Sequence, residues 1–389
     1  MNSVKYYLSE KFFIKLLEFP SLYNIKTDEL YSLDKNALKI LKKIEAGNFS
    51  NNLSRKINKE FFDFCINEGI ITEKPVRRIK TKIKQSPLPS LKYLELQVTK
   101  RCNLKCKHCF VGKSEPIDLP FEKIKTILKE FEALQGLRVL ITGGEPLLHP
   151  EFERINEFIK KLALRKILFT NGTLLNEKWL KKLNVEEIQI SIDGMKKGHE
   201  ILRGKGTFNK ALNAIKKAVD YGFDVSVATV IHRKNIEEFN ELEKLIKKLN
   251  VKEWIVDALT ISGNLKLNTH LWVTPDKAGN IMKRYGFSKE NHPRADGYGC
   301  GAHLLAVMPD GKAAFCSFYE DSPIGEIDEG LGKLWAMKNQ ILLKDLECSK
   351  INCPFLSECR GGCRFRAITL SGNSSSPDLF RCYQFGRLP

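Results

Sequence analysis

The chain has 389 residues, of which 42% are hydrophobic and 28% are charged, as is typical of a globular protein with two or three domains. No apolar run approaches the ~18 residues needed to span a membrane, and residues 1–10 lack the basic and apolar regions of a signal peptide. We therefore expect a cytoplasmic protein without a membrane partner. The formal net charge of +18 fits either an acidic partner or a lysine-rich solvated surface.

Residues 1–78 are predicted to form a unit of their own, with the element order of a winged helix. Asp34 is a favourable N-cap for the first helix, and Gly69 suits the end of the second. The expected elements are strands at 12–19 and 28–33 on either side of segment 20–24, helices at 35–45 and 59–67, and a strand at 70–71. Cys65 has no second cysteine nearby and is expected to be a buried structural thiol.

A linker is predicted over 79–92, because residues 73–90 contain three prolines and no apolar period. A winged helix can bind nucleic acid, and residues 77–82 are a basic run. Such runs usually belong to a solvated linker, so nucleic acid is not expected as a partner.

From residue 93 the pattern alternates between strand and helix. Six strands are predicted at 93–99, 137–142, 166–170, 187–191, 223–230 and 253–258, with helices at 121–134, 151–162, 176–183, 208–221 and 235–249. Repeated βα units require a parallel sheet with helices outside it. Six strands are too few for a closed eight-stranded barrel, so we expect a partial (β/α)6 TIM-like barrel over 93–270 and a bridging segment over 271–299. Ligands of such sheets bind at the carboxyl ends of the strands.

Three cysteines spaced C-x3-C-x2-C follow the first barrel strand at its carboxyl end: Cys102, Cys106 and Cys109. Three close thiolates can hold three irons of a cubic iron–sulfur cluster and leave the fourth iron open to a small molecule. A zinc site or a redox pair is the alternative. Zinc needs four ligands, and His108 could supply the fourth only by crowding its neighbour.

Residues 300–389 contain seven of the eleven cysteines, frequent glycine, and little helical period beyond 330–344. Such a segment is expected to be held together by metal rather than by a large apolar core. Zinc ribbons are the alternative, but seven thiols do not divide evenly into four-thiolate sites.

The C-x3-C-x2-C motif after the first strand of a βα series resembles that of the radical S-adenosylmethionine (radical SAM) superfamily. The resemblance implies that Cys102, Cys106 and Cys109 hold a [4Fe–4S] cluster whose open iron is chelated by SAM. It also assigns SAM-binding roles to residues at and after the next three strand ends: Gly143, Gly144, Glu145, Pro146, Thr170, Asn171, Ser191, Asp193 and Arg203. In this resemblance Glu145 accepts the SAM ammonium, Ser191 and Asp193 face ribose hydroxyls, and Arg203 reaches the SAM carboxylate.

The cysteines of the tail resemble the SPASM extension of that superfamily. The resemblance implies two auxiliary [4Fe–4S] clusters, which makes three in all. One would be closed by Cys348, Cys353, Cys359 and Cys382, and the other held by Cys300, Cys316 and Cys363 with an open iron or a non-cysteine ligand. The spacing Cys348-x4-Cys353 is two residues longer than the family pattern.

The expected fold class is therefore α/β, with a partial barrel, an N-terminal winged-helix-like α+β domain and a C-terminal cysteine-rich iron–sulfur domain. The resemblance implies a maturase of ribosomally made peptides, in which residues 1–78 bind a leader segment and a ferredoxin or flavodoxin supplies electrons. A deoxyadenosyl radical from SAM would remove hydrogen from the peptide and lead to a cross-link. No catalytic base is assigned, although Ser317 follows Cys316 where some relatives have a catalytic acid.

Three alternatives stay open at this point. The same chemistry could act on a protein residue, as in sulfatase-maturing relatives, or on a small molecule such as a porphyrin precursor. The chain could also be a non-enzymatic iron–sulfur electron carrier or redox regulator.

Overall fold

The computed structural model describes residues 5–47, 59–288 and 292–387. Its strands are β1 Tyr7–Leu8, β2 Phe12–Leu16, β3 Pro20–Asn24, β4 Glu29–Ser32, β5 Ile71–Thr72, β6 Tyr93–Thr99, β7 Arg138–Gly143, β8 Arg165–Thr170, β9 Glu187–Ser191, β10 Asp224–Ile231, β11 Glu253–Ala258, β12 Leu304–Val307, β13 Lys312–Ala314 and β14 Gly325–Glu326. Its helices are α1 Lys35–Glu45, α2 Lys59–Asn67, α3 Phe121–Ala133, α4 Phe152–Ile159, α5 Glu177–Leu180, α6 Lys196–Arg203, α7 Thr207–Asp220, α8 Phe239–Lys248, α9 Pro275–Arg284, α10 Leu331–Met337, α11 Glu347–Lys350, α12 Leu356–Cys359, α13 Arg364–Ser371 and α14 Leu379–Gln384.

The N-terminal module contains a three-stranded antiparallel sheet, β2-β3-β4, and a short pair of strands, β1 and β5. Helix α1 begins where predicted, because the Asp34 carboxylate accepts a hydrogen bond from the Ala37 N–H at 2.7 Å. Segment 20–24, which was not predicted as a strand, is the central strand of this sheet. Pro20 takes the first strand position, where a missing N–H is tolerated, and Leu22 and Tyr23 are buried.

The six barrel strands lie side by side and in parallel, in the order β11-β10-β9-β8-β7-β6. Each begins and ends within one residue of the predicted bounds. The intervening helices cover one face of this sheet, and their apolar side chains form the main core with alternate strand residues such as Leu94, Leu96 and Val98. The predicted parallel sheet of a partial barrel is confirmed. Helices α6 and α9 were not predicted.

The tail extends this sheet. β12 pairs in parallel with β6, from Leu304 opposite Tyr93 to Val307 opposite Leu96, and β13 and β14 continue antiparallel beyond it. The sheet therefore runs across the proposed domain boundary at residue 300. Four-residue strands such as β12 are too short to show a clear period, which is why the sequence did not predict them.

The N-terminal module packs against the amino ends of the barrel strands, opposite the carboxyl ends where ligands are expected. Lys15 donates to the carbonyl oxygens of Gly136 (2.8 Å) and Ala163 (3.2 Å), just before β7 and β8. The buried guanidinium of Arg165 donates to the Lys26 carbonyl oxygen at 2.6 Å and pairs with Glu187 at 2.8 Å. These bonds fix the module to the end of the barrel where the strands begin.

Among the described residues, none of the helices combines the length and the apolar character needed to cross a membrane.

Candidate functional site

The C-x3-C-x2-C loop leaves β6 at its carboxyl end, as predicted. The Cys102 N–H donates to the Ser114 hydroxyl at 2.8 Å, and the Cys109 N–H to the Cys106 carbonyl at 3.3 Å. Burial above all raises the pKa of Cys102 to about 11, with smaller contributions in the same direction from Glu145, Cys106 and Cys109. Three thiols within electrostatic reach of one another would lose their protons on binding iron, because metal binding favours the thiolate.

A second segment fixes this loop from outside. The Asn264 backbone N–H donates to the Cys109 carbonyl at 2.9 Å, and its side-chain amide donates to the carbonyls of Cys106 (3.1 Å) and Gly112 (3.3 Å). Gly263 has a φ of +45°, and a Cβ there would lie 2.2 Å from the Cys109 carbonyl oxygen. We call residues 262–268 the loop clamp. No role of its own was predicted for this segment, although its position just after the sixth strand could have indicated one.

Glu145 is a fully buried carboxylate at the end of β7. The Thr170 hydroxyl lies 2.9 Å from both of its oxygens, and the Asn171 N–H donates to it at 3.0 Å. No cationic side chain of the described residues pairs with it. Burial raises the pKa of Glu145 to about 7, against the lowering effect of these donors. A buried carboxylate without a counter-charge fits the ammonium of an amino acid such as the methionine part of SAM.

Gly143 and Gly144 bring the end of β7 onto the end of β6. A Cβ at Gly143 would lie 2.3 Å from the Thr99 carbonyl oxygen, and one at Gly144 2.3 Å from the Arg101 carbonyl oxygen. The close approach therefore involves the residues just before Cys102, and the SAM-binding role of the two glycines remains a prediction. Pro146 begins a turn in which the Leu147 N–H donates back to Glu145 at 3.4 Å.

Asn171 and Thr173 connect the end of β8 to the cysteine loop. The Asn171 side-chain amide donates to the Asn103 side-chain oxygen at 3.0 Å, and the Asn103 amide donates to the Thr173 hydroxyl at 2.8 Å. Asn103 lies directly after Cys102. Residues that follow β8 thus hold the start of the cysteine loop in place.

Arg203 and Asp193, assigned to different parts of SAM by the resemblance, form an ion pair with each other. Burial would raise the pKa of Asp193, but Arg203 above all, with His108 and His199, holds it at about 2. Burial would lower the pKa of Arg203, but Asp193 above all, with Cys106 and Cys109, raises it.

Asp193 accepts from Nε of Arg203, so the two terminal nitrogens remain for a second carboxylate. One of them lies 3.5 Å from Nε2 of His108. Nδ1 of His108 is buried without a hydrogen-bond partner, an orphaned polar atom beside the cysteine loop. Ser191 is half-buried at the end of β9.

The seven tail cysteines gather into two groups. Cys300, Cys316 and Cys363 act electrostatically on one another, and burial raises the pKa of Cys363 to about 11. A second set lines one small cavity: Cys348, Cys353, Cys359 and Cys382. This is the division that the resemblance implied, and the ligand assignments remain a prediction.

An ion-pair network holds the first of these groups against the barrel. The Asp378 carboxylate accepts from the Cys363 N–H at 2.8 Å and pairs with Arg366 at 2.9 Å. Arg366 also pairs with Asp257 of β11. The tail thiols are therefore fixed relative to the strand ends.

Each of the three thiol groups consists of cysteines alone, which is the usual ligand chemistry of an iron–sulfur cluster. Within residues 5–47, 59–288 and 292–387, no three side chains of His, Cys, Asp or Glu are arranged to hold one metal ion. The ligands of a four-iron cluster bind different irons and stand farther apart. All-cysteine groups of three and four match that chemistry.

Comparisons with known proteins agree with this site. The family model described as "Radical SAM superfamily" matches residues 96–246. The AdoMet-dependent heme synthase of Oleidesulfovibrio alaskensis is 24% identical over 77% of this chain and 89% of its own length. The Bacillus subtilis protein AlbA, named for biosynthesis of the antilisterial bacteriocin subtilosin, is 26% identical over 72% of this chain and 68% of its own length.

Solved structures share the fold. Streptococcus suis SuiB bound to S-adenosylmethionine has a TM-score of 0.65 at 17% identity, over 95% of this chain and 98% of SuiB. AnSMEcpe with bound AdoMet has a TM-score of 0.61 at 22% identity, over 75% of this chain and 94% of its own. The family match, together with the cysteine loop and the strand-end residues, identifies the chain as a radical SAM enzyme with its radical SAM domain over residues 96–246.

Proposed function

We propose that this enzyme is a SPASM-type maturase that forms a cross-link in a ribosomally made peptide. The cluster that binds SAM would be held by Cys102, Cys106 and Cys109. Bound SAM supplies a 5′-deoxyadenosyl radical that can remove hydrogen from an unactivated carbon. Glu145 would neutralise the SAM ammonium, and the free nitrogens of Arg203 would bind the SAM carboxylate. The tail cysteines would hold two further [4Fe–4S] clusters.

The observation that supports a peptide substrate is the exposed sheet edge of the N-terminal module. Among the described residues, β4 lies at the edge of its sheet. Phe64 of α2 is 42% exposed and contacts Tyr31 of β4, with ring centroids 6.1 Å apart. An extended leader peptide can add to such an edge as a further strand, with its apolar side chains against these rings.

The likeness to SuiB supports this choice over a protein-residue substrate. SuiB has been solved bound to its precursor peptide SuiA, and that structure matches 96% of this chain, which includes the N-terminal module. The match to anSMEcpe covers only 75% of this chain. A low-potential donor such as ferredoxin or flavodoxin would supply the electron that SAM cleavage needs.

Mass spectrometry of a candidate precursor peptide tests the proposal. The full-length protein, reconstituted anaerobically, is incubated with SAM, reductant and a peptide encoded beside its gene. Loss of two hydrogens from the peptide supports a cross-link, and an unchanged mass with solvent label incorporated indicates epimerisation instead. Conversion of an iron coproporphyrin with no change in any peptide would overturn the proposal in favour of a small-molecule substrate.

Leader binding can be tested separately. Phe64→Ala removes an exposed ring beside the β4 edge, and burial of such a ring by the leader contributes about 1.5–3 kcal/mol. The Kd for the whole precursor peptide should therefore rise about tenfold or more. Phe19→Ala is the matched control, because Phe19 is 60% exposed on the turn between β2 and β3. Equal affinities for the two variants would contradict a leader site at β4.

A further inference from the structure

Lys338 is a buried lysine at the C-terminal end of α10, only 4% exposed. Its ammonium donates to the carbonyl oxygens of Gly301 and, at 2.8 Å, Leu304. It also lies over two aromatic rings, 4.1 Å from the centroid of Phe315 and 4.6 Å from that of Trp335. These contacts fix the charge in one place.

No carboxylate of the described residues pairs with Lys338. Two other buried lysines differ in this respect, since Lys92 pairs with Glu18 and Lys166 with Glu186, each at 3.1 Å. Carbonyl oxygens and ring faces hold an ammonium without cancelling its charge. A buried charge without a counter-ion is costly, so a negative group is expected nearby.

The acidic groups that act electrostatically on Lys338 are two of the tail thiols, Cys300 and Cys316. Burial lowers the pKa of Lys338 to about 7, and Cys300 and Cys316 act in the opposite direction. Gly301, whose carbonyl accepts from Lys338, directly follows Cys300, and Phe315 directly precedes Cys316. The ammonium is therefore anchored to the residues adjoining both thiols.

We propose that Lys338 is the counter-charge of the auxiliary cluster held by Cys300, Cys316 and Cys363, and that it raises the reduction potential of that cluster. The inference rests on the proposed function, because it needs an iron–sulfur cluster at these thiols. Net charge and burial set such potentials. A fixed positive charge stabilises the reduced state, which carries one more negative charge. Lys338 thereby makes this cluster the better electron acceptor when the substrate is oxidised.

Redox titration of the reconstituted full-length protein, monitored by electron paramagnetic resonance, tests the inference. The transition that disappears in Cys316→Ala belongs to this cluster. In Lys338→Met it should move to lower potential by 59 mV or more, a tenfold change in the one-electron equilibrium constant. Lys338→Gln also removes the charge but keeps a donor for the two carbonyls, so it should show the same shift. It replaces the Met variant in this test if that variant loads iron poorly.

Two controls separate charge from packing. Lys338→Arg keeps the charge and should leave the potential near that of the parent protein. Lys333→Met removes an exposed lysine from the same helix and should change nothing. An unmoved transition in both the Met and the Gln variants, with iron retained, would overturn the role of Lys338 alone. A Cys316→Ala variant that loses neither iron nor a transition would overturn the cluster itself, and with it that part of the proposed function.

Discussion

Gly263→Ala is expected to disable SAM cleavage by displacing the cysteine loop, without unfolding the protein. A Cβ at this position would lie 2.2 Å from the Cys109 carbonyl oxygen and 2.6 Å from that of Phe110, whereas real contacts stay above 3.0 Å. The loop backbone must therefore move by about 0.8 Å. Misplacements near 1 Å at a reacting centre cost roughly 100-fold in rate, and we expect a loss of that order here.

The substitution has two costs that can be separated. A left-handed φ costs a non-glycine residue about 1–2 kcal/mol, and the clash adds about 1–3 kcal/mol as in other overpacked sites. Gly222→Ala is the matched control. Gly222 has a φ of +81°, but a Cβ there would meet nothing within 4 Å, so it has only the first cost. Both variants should remain folded, because domain stabilities are about 5–15 kcal/mol.

The assay is the rate of 5′-deoxyadenosine formation from SAM by each reconstituted variant, with thermal unfolding measured in parallel. Asn264→Ala removes the donors to Cys106 and Gly112 without a clash, and loss of such supporting bonds typically costs about 10–100-fold. We expect the rate of Asn264→Ala to lie between the rates of the two glycine variants. A Gly263→Ala protein that cleaves SAM as fast as Gly222→Ala would refute the role of the loop clamp.

Three further predictions follow from the buried charges and thiols. Burial raises the pKa of Glu145 from 4.5 to about 7, so its contribution to stability is present at low pH and is lost as the pH rises through about 7, a loss of up to about 3 kcal/mol. Without SAM, the denaturation midpoint of Glu145→Gln should therefore fall less between about pH 5 and 8 than that of the parent protein. Equal pH slopes for the two proteins would contradict this. Cys102→Ala should abolish SAM cleavage, whereas Cys353→Ala should leave it measurable but stop product formation; equal loss in both would mean that the clusters are not divided as proposed. Arg366→Met leaves Asp378 buried and unpaired and should cost about 3–5 kcal/mol in chemical denaturation, so an unchanged midpoint would argue against the ion-pair network.

The sequence by itself determined the barrel strands and the position of the cysteine loop. Strand and helix periods differ, so their alternation indicates parallel βα units, and parallel strands bring their carboxyl ends to one edge. The cysteine spacing then placed three thiols at that edge. Asp34 likewise set the start of α1, because an N-cap acts within three residues of the chain.

Side-chain contacts between elements could not be read in this way. Asp193 after β9 pairs with Arg203 at the end of α6, whereas the resemblance assigned the two residues to different parts of SAM. The central strand β3 was not predicted as a strand, because its first residue is a proline and its period is short.

Only the tertiary structure decided which groups surround the thiols. Asn264 lies more than 150 residues along the chain from Cys109, and Lys338 lies more than 20 residues from Cys316. No local pattern marks an amide or an ammonium whose partners are carbonyl oxygens far away in the chain. The sequence determined where the thiols stand along the chain, and packing between the barrel and the tail determined the bonds and charges around them.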